Sequence, residues 1–123
     1  MVIERTKERV DKTGEIFTPQ ALVQEILDHI PQEEFADSSK TFCDPAAGTG
    51  NFLVEVLQKK MGAGIPAETA LGTIYGVELM EDNVHICRQR LLQISGDTKK
   101  NREIVKKNIV CANTLRYDFN FNG

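Results

Sequence analysis

DPAAGTGNFL, residues 44–53, is the stretch on which the reading of this chain turns. Asp44 and Pro45 stop whatever extended segment precedes them, and glycines at 48 and 50 let the backbone bend sharply. A helix pattern starts at once. Leu53, Val54, Leu57 and Met61 recur at helical spacing until MGAGIP breaks the run. The preceding KTFCD (40–44) has strand composition, so the local order is strand, glycine turn, then a helix over 51–61.

Outward from that core the pattern repeats. TGEIFTPQALVQEILDHIP (13–31) predicts a helix with Thr18 as N-cap, Pro19 at the first helical position and an apolar stripe of Leu22, Val23, Ile26, Leu27 and Ile30. PQEEFADSS (31–39) reads as polar and turn-forming. Downstream come a short helix over 67–72, a strand at TIYGVE (73–78), and a helix at EDNVHICRQRLLQI (81–94) with Val84, Cys87, Leu91 and Ile94 on one face. Gly96 ends it. GDTKKNREIVKKN (96–108) reads as a charged connector with poor periodicity, NIVCAN (108–113) as a third strand, and TLRYDFNFNG as an aromatic tail. Strands alternating with helices argue for an α/β fold with a parallel sheet, in which ligands sit beyond the carboxyl ends of the strands.

Bulk properties set limits. The 123 residues, 41% of them hydrophobic, suffice for one core. Residues 1–12 read as a solvated arm and 13–123 as the folded unit. A formal net charge of −3 gives no whole-chain basic field, so nucleic-acid binding does not follow from charge balance. Cysteines at 43, 87 and 111 form no C-x-x-C pair, so each reads as a small core residue in a reducing compartment, and the expected location is cytoplasmic. No run approaches the roughly 18 apolar residues of a membrane span. His29 and His85 stand alone and read as surface or packing residues, so no metal ligand is assigned.

The strand ends carry the chemistry. A dinucleotide fingerprint would put a third glycine at position 53, where this chain has Leu53, and a pyrophosphate does not ask for an acidic residue before the turn. An amino acid moiety fits better: Asp44 can face its ammonium while N–H groups of the turn receive its carboxylate. Glu78 ends the second strand 34 positions after Asp44, about one strand–helix–strand unit, and a carboxylate there can accept hydrogen bonds from ribose hydroxyls. Asn113, after the third strand, offers an amide to a base edge. Amino acid, ribose and base in a row describe S-adenosylmethionine.

Four segments in order, TGEIFTP (13–19), DPAAGTGNFL (44–53), YGVELMEDN (75–83) and NIVCANTL (108–115), resemble successive motifs of adenine-specific DNA methyltransferases, most nearly the modification subunits of type I restriction systems. The resemblance implies a partial Rossmann-like, S-adenosylmethionine-dependent methyltransferase fold. It implies that Phe17, Thr18 and Pro19 cover the methionine end of the cofactor, and that Asp44, Gly48 and Gly50, with Ala46, Thr49 and Phe52 around them, hold its amino acid part. Glu78, with Leu79 beside it, would bind the ribose, and Asn113, where such families more often carry Asp, the adenine amino group. Phe52 also reads as a core aromatic.

Such enzymes position the target adenine with an N/D-P-P-Y/F loop after a fourth strand, and this sequence contains no Pro–Pro dipeptide. The expectation is therefore a cofactor-binding part of a site-specific DNA adenine methyltransferase of the restriction-modification type, inert alone, with no catalytic residue assigned. DNA would be met through a further region or a partner chain. The family's strand order also leaves the first strand with an open edge, where self-association or a partner is expected. Two other readings stand beside this one: a non-catalytic or partner-dependent cofactor-binding module, and a methyltransferase half acting on RNA or protein.

Overall fold

The computed structural model describes residues 19–121. Phe17, Thr18 and the arm over 1–12 lie outside them. Helix α1 spans Gln20–Asp28 and α2 spans Gln32–Ala36, followed by strand β1 at Phe42–Asp44. Then come α3 (Asn51–Gly62), α4 (Ala67–Leu71), β2 (Ile74–Glu78), α5 (Glu81–Ser95), α6 (Lys99–Asn108) and β3 (Ile109–Cys111). The three strands form a parallel sheet in the order β1-β2-β3, with Asp44 opposite Gly76 and Glu78 opposite Cys111. The architecture is α/β with flanking helices, as the alternation of patterns implies, and it matches a partial Rossmann-like methyltransferase fold.

One face of the sheet carries the main core. Leu53, Val56 and Leu57 of α3, Cys87 and Leu91 of α5, and Ile74 and Ile109 of the strands are all at most 1% exposed and belong to one cluster. Burial of this kind contributes about 1.5–3 kcal/mol per large aliphatic side chain. The opposite face is covered differently. Val77 is fully buried outside that cluster, and neighbouring Tyr75 packs against Phe121 with ring centroids 4.8 Å apart. Tyr117, Phe119 and Phe121 pair edge-on with one another, and the Phe121 N–H donates to the Tyr117 hydroxyl at 2.9 Å. The aromatic tail is thus a strap that crosses the second face. Beyond it, β1 has no strand on its outer edge among the described residues.

Two segments differ from the sequence reading. The supposed connector over 96–108 holds the ten-residue helix α6, whose N-cap Thr98 accepts from the Asn101 N–H at 3.0 Å. Its inward face is Asn101, Val105 and Asn108, so two of three buried positions are amides and the apolar stripe shrinks to Val105 and half-buried Ile104. Those amides are used. Asn101 donates to the Gly96 carbonyl at 3.0 Å and Asn108 to the Gly72 carbonyl at 3.4 Å. The supposed turn over 31–39 includes α2, whose single large apolar residue Phe35 is 1% exposed and stacks on Phe42 at 5.3 Å. One such residue cannot display a period.

Smaller corrections follow the same logic. Pro19 is the N-cap of α1 rather than its first helical residue, and the α1 stripe splits: Val23 and Leu27 are buried while Leu22 and Ile26 stay 45% and 43% exposed. Cys43 and Cys111 are exposed, and only Cys87 is a core cysteine. The wholly buried Lys60 keeps its ammonium satisfied by donating to the Lys40 carbonyl at 2.6 Å, which ties the turn before β1 to α3.

Gly76 lies where β2 passes under α3. A Cβ there would meet the Ala47 methyl at 3.0 Å and Leu53 Cδ1 at 2.8 Å. Leu53 can rotate, but Ala47 is fixed by its N–H bond to the Val77 carbonyl at 3.0 Å. Gly76→Ala is therefore expected to destabilise the fold by roughly 1–3 kcal/mol through overpacking, read as a lower midpoint in urea unfolding.

Candidate functional site at the strand ends

Parallel pairing brings the ends of β1 and β2 together, and the glycine turn closes over them. Asp44 and Glu78 belong to the same pleat parity, because Asp44 is opposite Gly76 and Glu78 lies two residues on. The Gly48 N–H donates to Glu78 Oε1 at 3.2 Å, so the turn and the second carboxylate are in direct contact. Glu78 Oε2 accepts from the Met80 N–H and from Asn83 Nδ2, each at 3.0 Å. Three donors occupy three of a carboxylate's roughly four lone-pair directions. One direction on Oε1 has no partner among the described residues.

Asp44 Oδ1 accepts from the Ala46 N–H at 3.0 Å, which starts the turn. Burial pushes the Asp44 carboxyl above its ordinary range; the Ala46 N–H works against this and the nearby Glu78 adds to it. Among the described residues neither carboxylate forms a salt bridge. Both carboxylates therefore stand at one end of the sheet, held by N–H donors rather than by cations. Beside Asp44 lies a hollow of about 260 Å³ that Ile26, Cys43 and Phe52 also line. Phe52 is half-buried, and besides lining this hollow it packs on the main core. The exposure of Ile26 on α1 follows from its place at this hollow.

The turn itself needs its glycines. Gly50 is left-handed, with φ 93°, and a Cβ on it would stand 2.8 Å from Cys87 Sγ. Its N–H donates to the Ala47 carbonyl at 2.9 Å. Cys87 forms the floor beneath it, and burial pushes that thiol up to about 12, which makes it a packing surface rather than a nucleophile.

The remaining predicted residues are placed less uniformly. Ala46 is exposed beside Asp44, while Thr49 is only 2% exposed and turned into the fold. Leu79 follows Glu78 at the rim and is 51% exposed. Pro19 is exposed at the start of α1. Asn113 is exposed, and its Oδ1 accepts from the Leu115 N–H at 3.0 Å, so the oxygen expected to meet a base closes a turn of its own loop. Thr114 Oγ1 donates to the Pro45 carbonyl and ties that loop to the glycine turn.

Two residues of the site went unread in the sequence. Asn83, fully buried, holds Glu78, and Arg90 Nη1 donates to the Thr49 carbonyl at 2.9 Å and to Asn51 Oδ1 at 2.8 Å. Both sit on α5 among the Val84, Cys87 and Leu91 positions. Their signal is a polar position inside an apolar stripe, which only a known neighbour turns into a contact.

The strand ends thus present an α/β arrangement with one acidic residue before a glycine turn and a second at the end of β2. The chain belongs to the N-6 DNA methylase family, whose model matches residues 1–121. It is also similar to the Type II methyltransferase M.VspI of Vibrio sp. (strain 343), with 33% identity over 93 residues, 76% of this chain and 20% of that protein. The chain thus spans about a fifth of the length of that curated relative. No solved structure matches it. Among the described residues no helix is long and apolar enough to cross a membrane.

Asp44→Asn gives a test with a defined sign. A raised carboxyl pKa means the folded state holds the proton more tightly than the unfolded chain, so the ionised group costs stability above its folded pKa. That cost is absent below the unfolded value. The substitution is expected to raise the unfolding temperature at neutral pH, with the gain shrinking as pH falls through the aspartate range; a gain independent of pH would remove ionisation as its cause.

Proposed function

We propose that this chain is the S-adenosylmethionine-binding part of a site-specific DNA adenine methyltransferase of the restriction-modification type. The observation that carries the reading is the contact between the Gly48 N–H and Glu78, with Asp44 on the adjacent strand end, which joins an amino acid subsite to a ribose subsite. In this reading Asp44 faces the ligand's ammonium and the N-terminus of α3, just past the turn, its carboxylate, while Glu78 accepts from a ribose hydroxyl. Leu79 and the Asn113 loop border the base. Ile26 and Phe52 wall the hollow near the methionine end, to which Phe17, Thr18 and Pro19 are assigned as a cover. The bound cofactor supplies an electrophilic methyl group. The chain's own residues bind and orient; they move no proton.

Methyl transfer needs the acceptor amine held in register with the sulfonium, and the sequence holds no Pro–Pro loop for that purpose. We therefore assign acceptor positioning and DNA contact to polypeptide outside these 123 residues, and expect no transfer from this chain alone. The outer edge of β1, which carries no strand among the described residues, is the assigned junction with that polypeptide.

Glu78→Ala removes a charged acceptor and is expected to weaken S-adenosylmethionine binding by roughly 1.5–3 kcal/mol in calorimetry. Melting curves recorded alongside separate loss of binding from loss of fold. An unchanged affinity in a folded variant would take Glu78 out of the site.

A further inference from the structure

Arg90 has no place in the sequence motifs, yet its guanidinium grips the glycine turn from behind. It donates to the Thr49 carbonyl and to Asn51 Oδ1, which lie on either side of Gly50. The Thr49–Gly50 peptide is planar, so a carbonyl held on the α5 side forces the Gly50 N–H to the other side, where it meets the Ala47 carbonyl at 2.9 Å. Asn51 is the first residue of α3, so the same guanidinium also fixes the entry of the helix whose N-terminal N–H groups border the site. A left-handed glycine could otherwise let this peptide rotate at little cost.

The spacing on α5 extends the point. Asn83, Cys87 and Arg90 recur at four and three positions, so they share one helix face. Asn83 holds the Glu78 carboxylate, Cys87 lies under Gly50, and Arg90 holds the turn on the far side. Arg88, two residues from Arg90, instead donates to the carbonyls of Ile109 at 3.0 Å and Lys106 at 3.2 Å and serves the scaffold.

We infer that this face of α5 sets the two halves of the pocket separately: Arg90 is a positioning residue for the turn that receives the amino acid end, and Asn83 one for the carboxylate that receives the ribose. The inference rests on the proposed cofactor reading. It makes a statement about ligand selectivity that global loosening of the fold does not.

Calorimetry with the 123-residue chain would compare S-adenosylmethionine with 5′-methylthioadenosine, which keeps the nucleoside and lacks the amino acid. Arg90→Met is expected to weaken the first ligand roughly tenfold and to leave the second within about twofold, with Arg90→Lys recovering part of the loss. Asn83→Ala is expected to weaken both, because both carry the ribose. Asn51→Ala, which removes one Arg90 acceptor and leaves the core untouched, should shift selectivity in the same direction as Arg90→Met if that variant does not fold. Equal losses for the two ligands in Arg90→Met, or in Asn51→Ala, would overturn the positioning role and leave the cofactor reading standing. Failure of the unaltered chain to bind either ligand would overturn the cofactor reading and the inference with it.

Discussion

The bond from the Gly48 N–H to the Glu78 carboxylate is the constraint on which the site depends. It exists because β1 and β2 pair in parallel with Asp44 opposite Gly76, which leaves Glu78 projecting one pleat beyond the first strand and level with the turn. A shift of one residue in that register would send Glu78 to the opposite face and leave the turn without an acceptor. Gly76 enforces the register from below, since only a residue without a side chain lets Ala47 and Leu53 approach β2 as they do.

Beside that bond the Asp44 carboxylate is held at a cost. Asp44 is partly buried, close to a second carboxylate, and its carboxyl is held above the ordinary aspartate range. The ionised Asp44 therefore costs the folded state some stability. The neutral partners nearby, the N–H groups of Ala46, Gly48 and Met80, orient the carboxylates without neutralising them.

Membership of the N-6 DNA methylase family gives this geometry its context. The described sheet has three strands, with helices on one face and, on the other, an aromatic strap that reaches Tyr75. Thr41 and Cys43 of the β1 region share a hollow of about 470 Å³ with Tyr75 and the strap residues Phe119 and Phe121. The chain therefore runs from the end of β3 across β2 towards β1. That path passes along the second face and leaves the carboxyl ends of the strands to the pocket.

The strand–helix alternation, the turn and the two acidic strand ends are all legible along the chain. Each is a local matter: Pro45 stops a strand, Gly48 and Gly50 bend the chain, and Leu53, Val54 and Leu57 repeat with the helix. Sequence alone could not reveal α6, because buried amides at 101 and 108 replace the apolar residues that would mark its inner face, nor α2, where Phe35 acts alone. Which polar residues gather at the strand ends is settled by packing between elements. Asn83 and Arg90 act on Glu78 and Thr49 across elements distant in the chain, and a hydrogen bond between such positions leaves no periodic trace in sequence.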